Sequence, residues 1–422
     1  MSSRFDKLFY WFKLLSKFVS VQLIVQALGF ASGIIIIRTL NKTEYSYFLI
    51  ANAMQSTMDL MADFGITIGL NSIGGRIWQD RSKLGELVNT AFSVRYSLIV
   101  ISVLTITPVL LWLLIDKGAS WWYSTLIVLA IVIELYFYTK NKILGAILRL
   151  KSQIKEIQTL DLILASSRLI GLGFTYFIGL NDVISLFCST IASSVQNYFL
   201  HLSSEKSFEK NSPINLDYQS EIWKLIKSQF FPTTFFCFQG QITILLISLF
   251  GKTSSIAEIG ALSRLGLIIT IFNPVVTSIL VPMYARCQSI DTLKRRYWQF
   301  LVGFASMSIC LLFAVYLFTE QILWVLGNQY SSLKSDLIFV MVASVIYSLN
   351  SLIWSLNYAK GWVKESYLTI PTTILTQIFL LLILDISTVR GVILFGLYSS
   401  IPSVLVNFHM SYKGLKLFDS NL

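Results

Sequence analysis

Residues 98–115 read LIVISVLTITPVLLWLLI and contain no charged side chain. A helix of about 20 apolar residues crosses the roughly 30 Å hydrocarbon core of a bilayer. A second apolar run extends from Val19 to Ile37. Both runs are continuous rather than alternating, and in lipid only helices and closed barrels satisfy every backbone hydrogen bond. The sequence therefore predicts an all-α integral membrane protein.

The composition of the 422-residue chain agrees with this fold class. It is 55% hydrophobic and 13% charged, with a mean hydropathy of +0.69, whereas a soluble domain carries about 25% charged residues. Lys13 and Lys17 precede the first apolar run as in a signal peptide, but the run exceeds the apolar core of about 7–15 residues that a signal peptide has. We interpret it as an uncleaved first span.

We predict about twelve transmembrane helices in two six-helix halves, residues 1–210 and 211–422, with a central cavity between the halves. The predicted spans are 18–38, 45–70, 91–115, 121–147, 159–180, 183–202, 225–250, 256–281, 298–319, 337–358, 367–387 and 391–412. The longest connection, about 203–223, is polar and divides the chain near its midpoint. None of the connections is long enough to fold as a separate domain.

The distribution of Lys and Arg predicts the orientation in the membrane. With the N-terminus inside, 24 of the 33 basic residues flank spans on the inner side and 6 lie on the outer side. Arg95, Arg168 and Arg264 fall within spans. This asymmetry predicts that both termini are cytoplasmic. It also explains the net charge of +11 as an attraction to anionic inner-leaflet lipid, so we do not interpret the basic charge as a nucleic-acid surface.

The two halves carry a weak internal repeat. In both, a short outer turn containing a lysine leads through Glu44 or Glu258 into a span that ends in a basic inner loop. Chance similarity between amphiphilic hairpins is the alternative explanation. Two repeated halves are the ground plan of many secondary transporters.

Signals of catalysis, cofactors or metals are missing from the sequence, so we predict no enzyme activity. Gly251 to Thr253 read GKT, but Leu246 occupies the position of the first glycine of a phosphate-binding loop. His201 and His409 lie at the ends of distant spans, and the four cysteines contain no C-x-x-C pair.

Polar side chains inside spans are costly in lipid and point to function. On span 2 they recur at spacings of three or four residues and so share one helical face, namely Asn52, Gln55, Asp59 and Asp63. Other spans contribute Gln22, Gln26, Gln239, Glu134, Arg168 and Arg264. Structural roles are the alternatives: Glu134 pairs with Arg168, Arg95 snorkels to the inner surface, and Asp63 caps a helix or contacts a loop.

Four stretches resemble the polysaccharide-unit (O-antigen or capsule) flippases of the multidrug/oligosaccharidyl-lipid/polysaccharide exporter superfamily. They are RTLNKTEYSYF at 38–48, DFGITIGL at 63–70, ALSRLG at 261–266 and NPVVTSILVPMYAR at 273–286. The resemblance covers essentially the whole chain. It implies a protein of the bacterial cytoplasmic membrane that moves a polyprenyl-diphosphate-linked oligosaccharide from the inner to the outer leaflet by alternating access. Membrane lipid and the polymerase and chain-length proteins of the pathway are the implied partners.

The resemblance also implies a cavity formed mainly by spans 1, 2, 7 and 8. The substrate-binding residues that fall there are Gln22, Gln26, Asp59, Gln239 and Arg264, with Arg38 at the outer mouth. An arginine suits the diphosphate because its guanidinium forms two parallel hydrogen bonds with a phosphate. A proton-coupling acid would be Asp59, Asp63 or Glu134.

Two alternatives remain open. A multidrug exporter of the same superfamily is the closer one, although many such exporters carry a coupling acid in the first span, and Val19 to Ile37 contains none. A membrane polysaccharide polymerase resembles a chain with a long outer loop, whereas the outer connections here are short. A lipid scramblase or an assembly scaffold would not need a polar cavity.

Overall fold

A computed structural model describes the backbone of residues 2–205, 207–270, 276, 280–287 and 289–420, and the side chains of those between 20 and 416. The described residues form helices joined by short connections and contain no strand. The α-helices are α1 (Ser2–Thr39), α2 (Lys42–Asp63), α3 (Ile66–Ile77), α4 (Arg81–Asp116), α5 (Trp121–Leu150), α6 (Ile154–Ile178), α7 (Asp182–Ser204), α8 (Leu216–Phe250), α9 (Thr253–Thr270), α10 (Val281–Ala285), α11 (Ile290–Leu317), α12 (Thr319–Leu326), α13 (Lys334–Ala359), α14 (Thr369–Ile383) and α15 (Val389–Ser420). Short 3₁₀ turns at Asn328–Leu333 and Ser366–Leu368 precede α13 and α14.

Ten helices in the described part of the chain are long and apolar enough to cross a bilayer. They coincide with ten of the twelve predicted spans, so the chain is a multi-pass membrane protein. The two predicted spans outside this set are 45–70 and 256–281. The second of these corresponds to α9, and residues 271–275 and 277–279 of that prediction lie outside the described residues.

The predicted continuous span 45–70 is wrong, because the helix breaks after Asp63. Phe64 and Gly65 have φ values of 27° and 96°, in the left-handed region that favours glycine. The Asp63 carboxylate then accepts hydrogen bonds from the Thr67 backbone N–H at 3.2 Å and from the Thr67 hydroxyl at 2.8 Å. Asp63 thus satisfies a free N–H in the first turn of α3, as a capping side chain does.

The helices group into two units. One comprises Ala27–Ala257, and the other comprises residues up to Gln26 together with Glu258 onward. We call them the N-unit and the C-unit. This grouping does not test the predicted boundary between two six-helix halves at residue 210, which stays a prediction.

The N-unit has an apolar core built from α3, α4, α5 and α8. Its buried members include Leu70, Leu87, Ile143, Ile147 and Ile222. Within this unit α7 packs against α5 and α6, and α2 packs against α4 and α8. α2 thus packs against several helices of the N-unit.

The C-unit has a smaller aromatic and aliphatic core. Its buried members include Tyr284, Tyr297, Leu301, Leu352 and Leu356. Here α15 packs against α13 and α14, in the same chain order as α7 against α5 and α6. This parallel agrees with the internal repeat predicted from the sequence.

The predicted mid-chain connection docks onto the start of α4. The Asn89 side-chain amide donates to the carbonyls of Lys210 at 2.9 Å and Ser212 at 2.7 Å, and the Asn215 N–H donates to the Thr90 hydroxyl at 2.9 Å. A Cβ on Gly85 would lie 2.1 Å from the Glu209 carbonyl oxygen. The connection is therefore part of the N-unit rather than a free linker.

Candidate functional site

The polar face of α2 belongs to the N-unit and interacts with charged side chains from α4 and α5. Asp59 and Asp63 are partly exposed, and Gln55 is buried. Asn52 turns back to its own helix, where its amide donates to the Phe48 carbonyl at 2.6 Å. The part of this face that interacts with other helices is therefore Gln55, Asp59 and Asp63.

Arg95 on α4 forms a buried ion pair with Asp63. The Arg95 side chain is 2% exposed, and its second nitrogen donates to the Thr139 carbonyl at 2.8 Å. The interpretation that Arg95 snorkels to the surface is therefore wrong, because its two terminal nitrogens bind Thr139 and Asp63 inside the protein. Asp63 holds the α2–α3 break and α4 together through these bonds.

Glu134 on α5 lies between three other helices. Its carboxylate accepts hydrogen bonds from the Gln55 amide on α2 and from the Ser193 hydroxyl on α7, the latter at 3.4 Å. Arg168 on α6 lies close enough to interact electrostatically with Glu134. The structure thus brings the two charges near each other, and the ion pair between them stays a prediction.

Asp59 is placed differently from the other two acids. It interacts electrostatically with Glu134 and with Lys142, both on α5. Lys142 is itself hydrogen-bonded to Tyr138 and lies against its ring, with Nζ 5.0 Å from the ring centroid. Asp59 Oδ1 is buried and accepts no hydrogen bond from any described residue. We call the set Asp59, Asp63, Arg95, Glu134, Lys142 and Arg168 the charged cluster.

An amide bridge between α5 and α7 lies beside the charged cluster, and the sequence analysis missed it. The Asn197 amide donates to Asn141 Oδ1 at 2.8 Å. The Asn141 amide donates to the Ser193 carbonyl at 3.1 Å and to Gln196 Oε1 at 3.0 Å. These bonds join the two helices through uncharged groups.

The C-unit repeats this bridge between α13 and α15. The Asn407 amide donates to Asn350 Oδ1 at 2.7 Å, and the Asn350 amide donates to the Ser403 hydroxyl at 2.9 Å. The two asparagines are 57 residues apart, against 56 for the pair in the N-unit. In both units the second asparagine follows a serine by four positions, so Ser-x-x-x-Asn near the end of a predicted span was the available sequence signal.

Four other predicted site residues lie on α1 and α8 and do not belong to the charged cluster. Arg38 is exposed in the last turn of α1, and Gln239 is partly buried on α8. Gln22 and Gln26 are partly buried on the segment of α1 that belongs to the C-unit. Their assignment to substrate binding stays a prediction.

Arg264 on α9 is partly buried in the C-unit. Within the described part of its unit, its guanidinium has no hydrogen bond or ion pair. A partly buried arginine that no described residue of its own unit pairs with is available to bind an anion.

Comparison with known proteins identifies the fold. No protein-family model matches the chain, and no curated protein sequence matches it significantly. Among solved structures, an inward-facing multidrug resistance MATE family transporter of the MOP superfamily aligns with a TM-score of 0.73 at 17% identity, covering 94% of this chain and 96% of that one. MOP abbreviates the exporter superfamily named above.

Two further solved structures extend the comparison. An outward-facing multidrug resistance MATE transporter aligns with a TM-score of 0.63 at 15% identity, covering 96% of both chains. A MOP superfamily transporter from Pyrococcus furiosus, described as having a binding pocket of reversed polarity that suggests a different function, aligns with a TM-score of 0.62 at 16% identity, covering 96% of this chain and 94% of that one. This chain therefore has the fold of the MATE transporters of the MOP superfamily.

Proposed function

We propose that this protein is a secondary transporter that works by alternating access. The observation that carries the proposal is the fold, which matches solved transporters described as inward-facing and as outward-facing over more than nine-tenths of the chain. The polar residues inside predicted spans support it, because a membrane protein without a polar path would not need them. Alternating access exposes such a path to each side of the membrane in turn.

The comparisons favour an exporter of small organic molecules over the flippase implied by the sequence resemblance. Two of the solved proteins are described as multidrug resistance transporters. Export of drug-like molecules is therefore the first candidate function. It requires a pathway that accepts apolar or cationic compounds.

Flipping of a lipid-linked oligosaccharide is the second candidate, and one observation favours it. Arg264 is partly buried in α9 without a protein partner in the described part of its unit, and a guanidinium in that setting favours an anionic ligand such as a diphosphate. The stretches at 38–48 and 63–70 also resemble the flippases. The Pyrococcus furiosus protein illustrates that one fold accommodates pockets of different polarity.

One experiment separates the two candidates. The gene is expressed in a bacterial host that lacks its own drug exporters, and separately in a host whose polysaccharide flippase is deleted. An exporter restores resistance to a panel of toxic cations, whereas a flippase restores surface polymer in the second host. If neither host is restored although the protein is present in the membrane, both substrate assignments are wrong.

Arg264 gives the same test at the level of one residue. For an anionic substrate, Arg264→Ala abolishes transport, and Arg264→Lys keeps part of it because the charge remains while the two-pronged hydrogen bonding is lost. For cationic drugs, Arg264→Ala leaves export intact or raises it. Lys252→Ala in the neighbouring outer turn is the matched control. Membrane abundance and thermal stability are measured for each variant, and full polymer in Arg264→Ala contradicts the role in anion binding.

We further propose that the protein lies in the bacterial cytoplasmic membrane with both termini inside, on the strength of the 24-to-6 charge asymmetry. Single cysteines are introduced at Asn211 on the proposed inner side and at Asp116 on the outer side, both of which are exposed. Cys310 is exposed and is first changed to serine, whereas the other three cysteines are buried. In intact cells an impermeant thiol reagent is expected to label position 116 alone, and labelling of position 211 alone would reverse the orientation.

A further inference from the structure

We infer that the C-unit binds a zwitterionic phospholipid, one whose headgroup joins a primary ammonium to a phosphate, at the ion pair of Glu320 and Lys334. This pair links the start of α12 to the start of α13. The inference goes beyond the proposed transport function, since it depends only on the chain being a membrane protein.

Two neighbouring grooves share this ion pair. The larger has a volume of about 550 Å³ and is lined by the end of α11 and the start of α13, including Tyr316 and Ser335. The smaller has a volume of about 420 Å³ and is lined by Trp324 and the 3₁₀ turn that follows it. Glu320 and Lys334 line both grooves. A ligand in either groove therefore meets both charges.

The charges in the grooves match a ligand that carries one cation and one anion. Lys334 Nζ donates to Glu320 Oε1 at 2.5 Å, and none of the other described residues that line either groove is charged. Both side chains are more than half exposed, and their bond uses one carboxylate oxygen and one of three ammonium hydrogens. The remaining oxygen and hydrogens can bind a headgroup whose ammonium meets Glu320 and whose phosphate meets Lys334. A ligand with a single charge would be repelled by one member of the pair.

Helix α12 has the features of a segment that lies at the membrane surface. It contains eight residues, which span only about 12 Å and cannot cross a bilayer. Leu323 and Leu326 are buried against the protein, whereas Trp324 is exposed. An exposed tryptophan favours the boundary between hydrocarbon and headgroups. The grooves beside α12 therefore lie at the depth of a lipid headgroup.

An apolar stripe on α11 leads to the larger groove. Exposed side chains at Ile309, Phe313, Tyr316 and Leu317 are spaced three or four residues apart, so they lie on one face of the helix. The stripe ends at the groove, because Tyr316 and Leu317 line it. A headgroup bound in the groove places its acyl chains along this stripe. The ligand is therefore a lipid rather than a soluble zwitterion.

The carboxylate of Glu320 distinguishes between zwitterionic headgroups. A primary ammonium donates hydrogen bonds to a carboxylate, as a lysine does. The quaternary ammonium of a phosphocholine lipid has no N–H and forms only the weaker charge contact. Phosphatidylethanolamine should therefore bind more tightly than phosphatidylcholine with the same acyl chains.

The test compares these lipids on the full-length protein in detergent micelles, with native mass spectrometry measuring the affinity of the first lipid bound. We expect phosphatidylethanolamine to bind about fivefold more tightly than phosphatidylcholine, the size of effect that one exposed charge pair allows. Glu320→Gln should remove this preference, whereas Lys334→Gln should weaken the binding of both lipids because both present a phosphate. Glu205→Gln, in the exposed pair of Lys210 and Glu205 in the N-unit, is the matched control. Unfolding temperatures equal to that of the wild type show that each variant is folded.

A phosphatidylethanolamine with a photoactivatable acyl chain locates the site. Crosslinks are expected on α11 between Ile309 and Leu317, and Ser335→Trp, which fills the larger groove, should abolish them. Crosslinks on other helices alone, or a preference for phosphatidylethanolamine that survives Glu320→Gln, would overturn the inference. Tighter binding of phosphatidylglycerol that Lys334→Gln removes would show a simple anion site instead. Because neither measurement needs transport, the proposed function can fail while the lipid site stands.

Discussion

The N-unit and the C-unit use the same amide bridge but differ in charge around it. Asn141 and Asn197 in the N-unit correspond to Asn350 and Asn407 in the C-unit, with nearly identical bonds and spacing. Seven residues before Asn141 stands Glu134, whereas seven residues before Asn350 stands Ala343. The asparagine pair joins two helices in each unit. Only the N-unit has an ionisable side chain seven residues before the first asparagine.

The comparison separates two uses of buried polarity in a membrane protein. Amides satisfy one another and hold helices together without a net charge. Buried charges cost far more to leave unpaired, so they remain where they form ion pairs or perform a function. Each prediction below tests one side of this contrast.

The largest effect is expected from breaking the buried ion pair of the N-unit. Arg95→Ala leaves the Asp63 carboxylate without its cation and removes the donor to the Thr139 carbonyl. Loss of one partner of a buried pair costs roughly 3–5 kcal/mol. Denaturant unfolding in detergent, followed by tryptophan fluorescence, measures the change. Arg76→Ala is the matched control, because Arg76 pairs with Glu221 in an exposed setting with 61% of its side chain accessible; an equal effect of the two variants would contradict the assignment.

The next effect concerns two glycines that permit close contacts, one in each unit. A Cβ on Gly85 would lie 2.1 Å from the Glu209 backbone oxygen, and one on Gly414 would lie 2.1 Å from the Trp362 ring. We expect both Gly→Ala variants to lose about 1–3 kcal/mol, the usual range for overpacking. Gly85→Ala should lose more stability than Gly414→Ala, because the Glu209 backbone moves less easily than the Trp362 ring.

Glycines with free space provide the controls for this pair. Nothing lies within 4 Å of a Cβ placed on Gly75 in the N-unit or on Gly303 in the C-unit. Alanine at these positions should leave the unfolding temperature unchanged or raise it slightly, since helical glycine is entropically unfavourable. A loss in the controls as large as in Gly85→Ala would mean that the close approach is not the cause.

The amide bridge should contribute equally to both units. Asn141→Ala and Asn350→Ala each remove the acceptor of an interhelical amide bond. Side-chain hydrogen bonds between membrane helices contribute about 0.6 kcal/mol on average and at most about 1.7. A double-mutant cycle with Asn197→Ala or Asn407→Ala isolates each bond. A coupling energy in one unit only would show that the two bridges are not equivalent.

The smallest effect is expected at the surface of the C-unit. The hydrogen bond from Lys413 holds the pKa of the Glu365 carboxyl below its usual range. Because the folded-state pKa is lowered, the stabilisation is present above the unfolded-state pKa and is lost as the pH falls through the folded-state value. Lys413→Ala should therefore narrow the stability difference between neutral and acid pH by a barely measurable amount, since the pair is exposed and salt screens it. Thermal unfolding at both pH values checks this.

Much of the architecture was predictable from hydropathy alone. The apolar runs located ten helices that are able to cross a bilayer, because lipid forces each run to satisfy its own backbone hydrogen bonds. The break after Asp63 was not predicted, although the residues DFG contain a helix-capping acid and a glycine. An apolar stretch on both sides hid the break, because hydropathy averages over a turn that only backbone geometry reveals.

The candidate site shows the same contrast between what the sequence predicts and what helix packing decides. The sequence by itself placed Glu134, Arg95 and Arg168 inside predicted spans that the structure shows as helices able to cross a bilayer. It placed Asp59 and Asp63 in a predicted span that the structure divides into α2 and α3. Which acid meets which cation was decided by the tertiary structure, since partners 32 residues apart, as Asp63 and Arg95 are, meet only when helices pack. The packing supplied partners for Asp63 and Glu134 and left Asp59 without a hydrogen-bond donor in the described part of the chain. The repeated amide bridge likewise depends on residues 56 and 57 positions apart, a distance at which no local pattern reports contact.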